Sequence, residues 1–203
     1  LVTLPVNTNG EATLTTAMVN NGSNDNCSGV TLALSQTAFS CADLAGTHVV
    51  TLTVTDAATN TATCTVTVDV VDNLAPQVLC PGSKTVTTNS GCTADNIAGL
   101  GMSLIMANTP LLSGQFSDNC TGASVAWQLS GATLGSGSGS VPVATAFNKG
   151  VTTVTYTVTD GSGNNAVCNF SVNVLDNTPP VWTGTGQAPG STAAGHERFA
   201  AAA

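Results

Sequence analysis

A 27-residue stretch occurs twice, and no other feature restricts the fold as tightly. Residues 50–76 read VTLTVTDAATNTATCTVTVDVVDNLAP, and residues 154–180 read VTYTVTDGSGNNAVCNFSVNVLDNTPP, with 14 identities and no gap. The matched positions include Asp56/Asp160, Asn60/Asn164, Cys64/Cys168, Asp72/Asp176, Asn73/Asn177 and Pro76/Pro180. Self-similarity at a fixed offset is the mark of a tandem array. Each copy holds a Thr/Val run, a turn, a second Thr/Val run and an Asp-Asn-x-x-Pro exit. β-Branched side chains pack well on a pleated sheet, so each copy predicts the last hairpin of a β domain followed by a linker.

The rest of the 203-residue chain fits around those hairpins. Residues 1–74 form a first repeat, truncated at its start, and residues 75–178 a second. Domains of about 100 residues are of ordinary size. In the first, residues 1–6 and 12–19 predict strands on either side of a turn at Thr8, Asn9 and Gly10. Val30, Leu32 and Leu34 then alternate with Thr31, Ala33 and Ser35, the period of a half-buried strand. Val125, Trp127 and Leu129 repeat that alternation in the second copy, with Trp127 in the place of a central buried aromatic. Residues 95–114 predict a short helix or a long loop, and the GSGSGS run at 135–140 a flexible loop. The pattern is all-β: two tandem immunoglobulin-like β-sandwich domains joined by a short Asp-Asn-x-x-Pro linker. Residues 179–203 predict the start of a further unit or a flexible tail.

Composition removes several functions. Lys and Arg together number three, and the net charge is −8. Nucleic acid and anionic membrane surfaces both need cationic side chains, so neither is a partner. No apolar run approaches a membrane span. Seven cysteines in so short a chain point to an oxidising compartment. Their spacing is not that of a zinc site, since there is no Cys-x-x-Cys pair. No nucleophile–His–acid set can be assembled from His48, in a Thr/Val run, and His196, in the tail, so no enzyme is expected. The chain starts at Leu1 without a signal peptide and reads as a piece of a longer exported protein.

The order of motifs resembles the hyalin repeat (HYR) module. The second copy carries Cys80-Pro81, Ser90-Gly91-Cys92, Ser117-Asp118-Asn119-Cys120, a Ser/Gly loop before Val141-Pro142-Val143, the Thr/Val run ending at Asp160, Gly163-Asn164, Cys168 and Asp176-Asn177. The first, with Asp25-Asn26-Cys27, Phe39-Ser40-Cys41 and the run from Thr51 to Asp72, is similar to related repeats of large secreted bacterial surface proteins. The resemblance covers roughly residues 1–180. It implies an immunoglobulin-like fold, an extracellular or cell-surface setting, and a part in adhesion or in spacing other domains. The first copy lacks the opening cysteine that Cys80 supplies to the second; aligned on Gly10/Gly91, it falls just before Leu1. The second copy has no match to Cys41.

The resemblance pairs Cys80 with Cys168, where the first and last strands of a sandwich lie side by side. Cys92–Cys120 and Cys27–Cys41 are then the local pairs, among the connectivities that four cysteines allow. Cys64 is left over, its partner expected in a preceding segment or a neighbouring copy.

The same topology gathers acids. Six of the nine Asp form repeat-matched pairs: Asp25/Asp118, Asp56/Asp160 and Asp72/Asp176. At one end of the second unit it brings together the incoming Asp72 and Asn73, the loop Asp118 and Asn119, and the turn residues Asp160 and Asn164. Carboxylates held close repel, and no Lys or Arg lies nearby in sequence. Ca²⁺, which takes 6–8 oxygen ligands, would neutralise them. Asp25, Asn26, Asp56 and Asn60 repeat the set in the first unit, where Asp176 and Asn177 of another copy would complete it. Asp and Asn are also common turn residues that cap their own backbone, and the last-turn pairs fit that reading equally well.

The expected function is that of a calcium-stiffened, disulfide-bonded stalk or filament subunit, with copies of itself or adjacent repeats as partners. The alternative is an accessory module binding cell-surface glycans or proteins. Aromatic residues for stacking on sugars are only 4% of the chain.

Overall fold

The computed structural model describes residues 1–27 and 29–181. The expected further unit or tail at 179–203, with Trp182 and His196, therefore lies outside the described residues from 182 onward. The described chain is all-β. Strands β1 (Val2–Pro5), β2 (Glu11–Thr13), β3 (Thr31–Leu34), β4 (Ala38–Ser40), β5 (Thr47–Thr55) and β6 (Thr61–Val71) make the first unit. The second holds β7 (Gln77–Leu79), β8 (Lys84–Thr87), β9 (Thr93–Ala94), β10 (Ser103–Leu104), β11 (Gln115–Ser117), β12 (Ser124–Gly131), β13 (Gly135–Ser138), β14 (Phe147–Asn148), β15 (Gly150–Thr159) and β16 (Asn165–Leu175).

The repeated hairpins are β5–β6 and β15–β16, and they anchor the largest sheets. The first unit has a sheet of order β1-β6-β5-β3, faced by the pair β2-β4. The second has a sheet of order β13-β12-β15-β16-β8, a three-stranded sheet β10-β11-β7, and the pair β14-β9. In both, a strand from the start of the unit runs parallel to the last: β1, the first strand, beside β6, and β8, the second strand of its unit, beside β16. Alternating side chains of the hairpins point inward. Val50, Leu52, Val68 and Val70 are buried in the first unit, and Thr152, Val154, Tyr156, Val158, Val172 and Val174 in the second. Full burial of each such Val or Leu contributes about 1.5–3 kcal/mol.

Three expectations are corrected here. Residues 12–19 are not one strand: β2 ends at Thr13 and a short helix follows at Thr16–Val19. Of the two alternatives for residues 95–114, the structure shows the long loop, interrupted by β10. The GSGSGS run is not a flexible loop but supplies the edge strand β13, paired to β12. Its glycines make room for an indole: a Cβ on Gly137 would stand 2.7 Å from the Trp127 ring. Trp127 is consequently half-buried at the margin of the core. The central buried aromatic is Tyr156, which is fully buried. Its hydroxyl donates to the Leu100 carbonyl at 2.7 Å and accepts from the Val141 amide at 2.9 Å. A buried phenol needs such partners.

Candidate metal centre

Three carboxylates converge where β6 of the first unit runs into the second. Asp72 follows β6, Asp118 follows β11, and Asp160 opens the β15–β16 turn. One oxygen from each lies within 4.8 Å of the others. Asp72 is only 6% exposed and Asp160 5%, while Asp118 is half-buried.

Each acid is held by its own backbone loop. Asp72 Oδ1 accepts from the Leu74 amide at 3.1 Å. Asp118 Oδ2 accepts from the Cys120 amide at 3.2 Å. Asp160 Oδ1 accepts from the amides of Ser162 and Asn164 at 2.9 and 2.8 Å. These are the turns that Asp forms wherever its side chain caps the backbone two residues on. That reading accounts for one oxygen of each residue. It leaves Asp72 Oδ2 and Asp118 Oδ1, both buried and without a hydrogen-bond partner. An unsatisfied buried polar atom costs about 1–3 kcal/mol, and more when charged.

Two amides tie the acids together across the units. Asn119 Nδ2 donates to Asp72 Oδ1 at 3.1 Å. Asn164 Nδ2 donates to Asp160 Oδ2 at 2.8 Å and to the linker carbonyls of Asp72 and Leu74 at 3.0 and 3.3 Å. Burial pushes the Asp118 carboxyl above its ordinary value, and the neighbouring charges of Asp160 and Asp72 push the same way. Among the described residues no cation offsets them: the one salt bridge there joins Lys149 to Asp176 at 3.6 Å, at the far end of the second unit.

Asn73 is exposed, outside this group of acids. Among the described residues, the first unit's head repeats the turns but gathers no third acid. Cys27 N–H donates to Asp25 Oδ2 at 3.0 Å, and Asn60 donates through both amides to Asp56 at 2.8 Å. Those bonds from Asn60 hold the Asp56 carboxyl below its ordinary value. Asn26, Asn60, Asp176 and Asn177 are exposed. His48, on β5, has its Nε2 2.8 Å from the Asp43 carbonyl and lies edge-on to Phe39.

The disulfides close differently from the expected pattern. Cys80 is bonded to Cys168, the pair implied by the resemblance. The second bond is Cys41–Cys120, with a Cα–Cα distance of 5.6 Å. It replaces both expected local pairs, Cys92–Cys120 and Cys27–Cys41. The reason is that Cys120 points out of its own unit. It packs against the core of the first, close to where Cys41 follows β4. Cys27, Cys64 and Cys92 are free and exposed.

Hydrogen bonds surround this staple. Asn108 Nδ2 donates to Asn9 Oδ1 at 2.8 Å, and Asn119 Nδ2 reaches the Asn7 carbonyl at 3.4 Å. Gly10 sits at the contact with φ +75°, and a Cβ there would fall 2.6 Å from Cys41 Sγ and 2.7 Å from the Asn119 carbonyl oxygen. A cleft lined by Asp72, Asn73, Cys120, Thr121, Gly161 and Ser162 opens beside the acids. Residues 72–76, the Cys41–Cys120 bond and the three acids therefore form one junction. The inter-unit bond and Asn108 gave no signal in the sequence, because both depend on how the units meet.

The HYR domain family model matches residues 119–174. The segment runs from the Asn119–Cys120 loop through β16 and includes Asp160, Asn164 and Cys168. Curated proteins give no sequence match. Among solved structures, the chain is similar to a protocadherin gammaB7 EC3-6 cis-dimer at 18% identity and TM-score 0.32, covering 72% of this chain and 41% of that one. It is similar to protocadherin gamma B2 extracellular cadherin domains 1-5 at 12% identity and TM-score 0.36, covering 74% and 34%. Human mucin-like protocadherin EC1-2 gives 14% identity and TM-score 0.30, covering 86% and 95%. The chain thus spans about two fifths and one third of the first two. Likenesses this loose transfer no ligand and no partner. No helix among the described residues is long and apolar enough to cross a membrane.

Proposed function

We propose that the chain is part of an extracellular rod, a stalk or filament built from tandem immunoglobulin-like repeats, with units dividing at residues 74/75. In this reading a divalent cation, Ca²⁺, stiffens the junction. The observation that carries it is the pair of buried, unpartnered oxygens, Asp72 Oδ2 and Asp118 Oδ1, beside Asp160. Hard oxygen donors without competing nitrogen or sulfur suit Ca²⁺. Mg²⁺ demands stricter geometry and keeps its water. Asp72, Asp118 and Asp160 would hold the ion, with the linker carbonyls close by. The ion would remove their mutual repulsion and tie the linker to the second unit. The match to the HYR domain supports the extracellular setting and the spacing role.

Calorimetric titration with CaCl₂, alongside solution scattering with calcium and with chelator, tests the reading. Ligand at 100 times Kd would add about 2.7 kcal/mol to stability. Calcium should raise Tm and narrow the distribution of interunit angles. Superimposable scattering curves and an unchanged Tm would remove the metal from the account.

A further inference from the structure

The two units serve as internal templates for each other. Hydrogen-bond registers align them residue by residue. In the head loop, Thr31 opposes Thr55 and Ser124 opposes Thr159, which makes Cys27 the counterpart of Cys120. The surrounding bonds agree, since the Cys27 amide donates to Asp25 as the Cys120 amide does to Asp118. Asn60 likewise holds Asp56 as Asn164 holds Asp160. Cys120 is bonded across a junction, and Cys27 is free.

The opposite end shows the complementary half. In the first unit Asn7 N–H donates to the Glu11 carbonyl, and Cys41 N–H to the Gly10 carbonyl. In the second, Asn89 N–H donates to the Thr93 carbonyl, and Lys149 N–H to the Cys92 carbonyl. Cys92 is thus the register counterpart of Gly10, and Lys149 that of Cys41. The left-handed residue has moved back one place, from Gly10 at φ +75° to Gly91 at φ +62°, so the following position can carry a side chain. The cysteine has changed strands but stays at the same outgoing end, the end that also carries the linker acid Asp176. Lys149 reaches Asp176 at 3.6 Å, confirming that these groups share that end.

We infer that Cys92 and Cys27 are the tail and head of a covalent head-to-tail junction between copies of this chain. Cys92 of one copy bonds Cys27 of the next, as Cys41 bonds Cys120 inside the chain. The incoming head brings Asp25 and Asp56 toward the outgoing Asp176. This rests on the tandem-rod reading but not on calcium. The bond forms by thiol–disulfide exchange with a small-molecule disulfide as oxidant. The Cys92 thiolate attacks one sulfur of the oxidant and releases one thiolate. The Cys27 thiolate then attacks the Cys92 sulfur of the mixed disulfide and releases the second. The two protein thiols give up two protons and two electrons, and the oxidant leaves as two thiols.

The test uses the whole chain in a Cys64→Ser background, incubated with a reduced and oxidised glutathione mixture and run on a non-reducing gel. With both cysteines present, a ladder of covalent oligomers is expected. Cys27→Ser alone and Cys92→Ser alone should stay monomeric. Their mixture should give a species of twice the chain mass and nothing larger, with a Cys27–Cys92 linked peptide by mass spectrometry. Homodimers from either variant alone, or no dimer from the mixture, overturn the proposal. Both cysteines are exposed, so neither substitution should alter unfolding, which circular dichroism checks. A calcium-induced rise in Tm is measured on the same samples. A ladder without that rise removes only the metal, and the rise without a ladder removes only the inference.

Discussion

Asp72 and Asp176 hold the same place in the same motif, yet their surroundings are opposite. Each accepts a hydrogen bond at 3.1 Å from the amide two residues on, Leu74 or Thr178. Each follows the last strand of its unit. Asp72 is buried, shares its site with Asp118 and Asp160, and receives the Asn119 amide from the next unit. Asp176 is exposed and meets Lys149. Local sequence sets the turn, and the neighbour's head decides whether the carboxylate is desolvated. A linker aspartate becomes a candidate ligand only when a head loop closes over it.

The strongest way to break that comparison is to release the head. Changing Cys41 and Cys120 together to Ser opens a loop of sequence separation 79. A loss of about 4 kcal/mol is expected in denaturant unfolding, an upper figure from chain entropy. Serine at exposed Cys27 should leave the midpoint where it was. If both variants unfold alike, the staple contributes nothing.

Glycine substitutions sharpen the contrast. Gly10→Ala combines a left-handed backbone with overlap of Cys41 Sγ and the Asn119 carbonyl, and should cost about 2–3 kcal/mol. Gly91→Ala meets the backbone strain alone, with nothing within 4 Å, and should cost about 1 kcal/mol. Equal losses in thermal unfolding would mean that the junction does not press on Gly10.

Proton linkage gives a smaller effect with a definite sign. The folded-state pKa of Asp118 lies above the ordinary 3.8, chiefly through burial and then through Asp160 and Asp72. Between those two values the folded chain keeps a proton that the unfolded chain has lost. Metal-free stability therefore falls as pH rises through that window and stays lower above it. Asp118→Asn should flatten the fall, raise metal-free Tm at neutral pH by less than ~1 kcal/mol equivalent, and abolish any calcium response. A variant that loses stability at neutral pH without metal would contradict the crowding of charge.

The smallest effect belongs to the open end. Asp176→Asn removes a half-exposed pair with Lys149 and should change stability by under ~1 kcal/mol, less in high salt. A larger loss would mean that Asp176 is more enclosed than its exposure implies.

Much of this was legible beforehand. The duplicated Thr/Val hairpins identify the all-β fold, because alternation and β-branching act locally. The convergence of Asp72, Asp118 and Asp160 follows from repeat-matched spacing once the strand order of a sandwich is assumed. The GSGSGS strand was opaque: glycine ordinarily signals flexibility, and only the Trp127 ring across the strand pair explains it. The same holds for Tyr156, whose hydroxyl partners, Leu100 and Val141, lie far from it in sequence.

Sequence alone determined the strands and turns of the duplicated hairpins and that the acids recur in register, since these depend on contacts along a few residues. Only tertiary structure decided that Cys120 reaches back to Cys41, that Asn73 faces water while Asp72 does not, and that two carboxylate oxygens are buried without partners. Those outcomes depend on how one unit's head seats on another unit's tail, a long-range packing that no local pattern encodes.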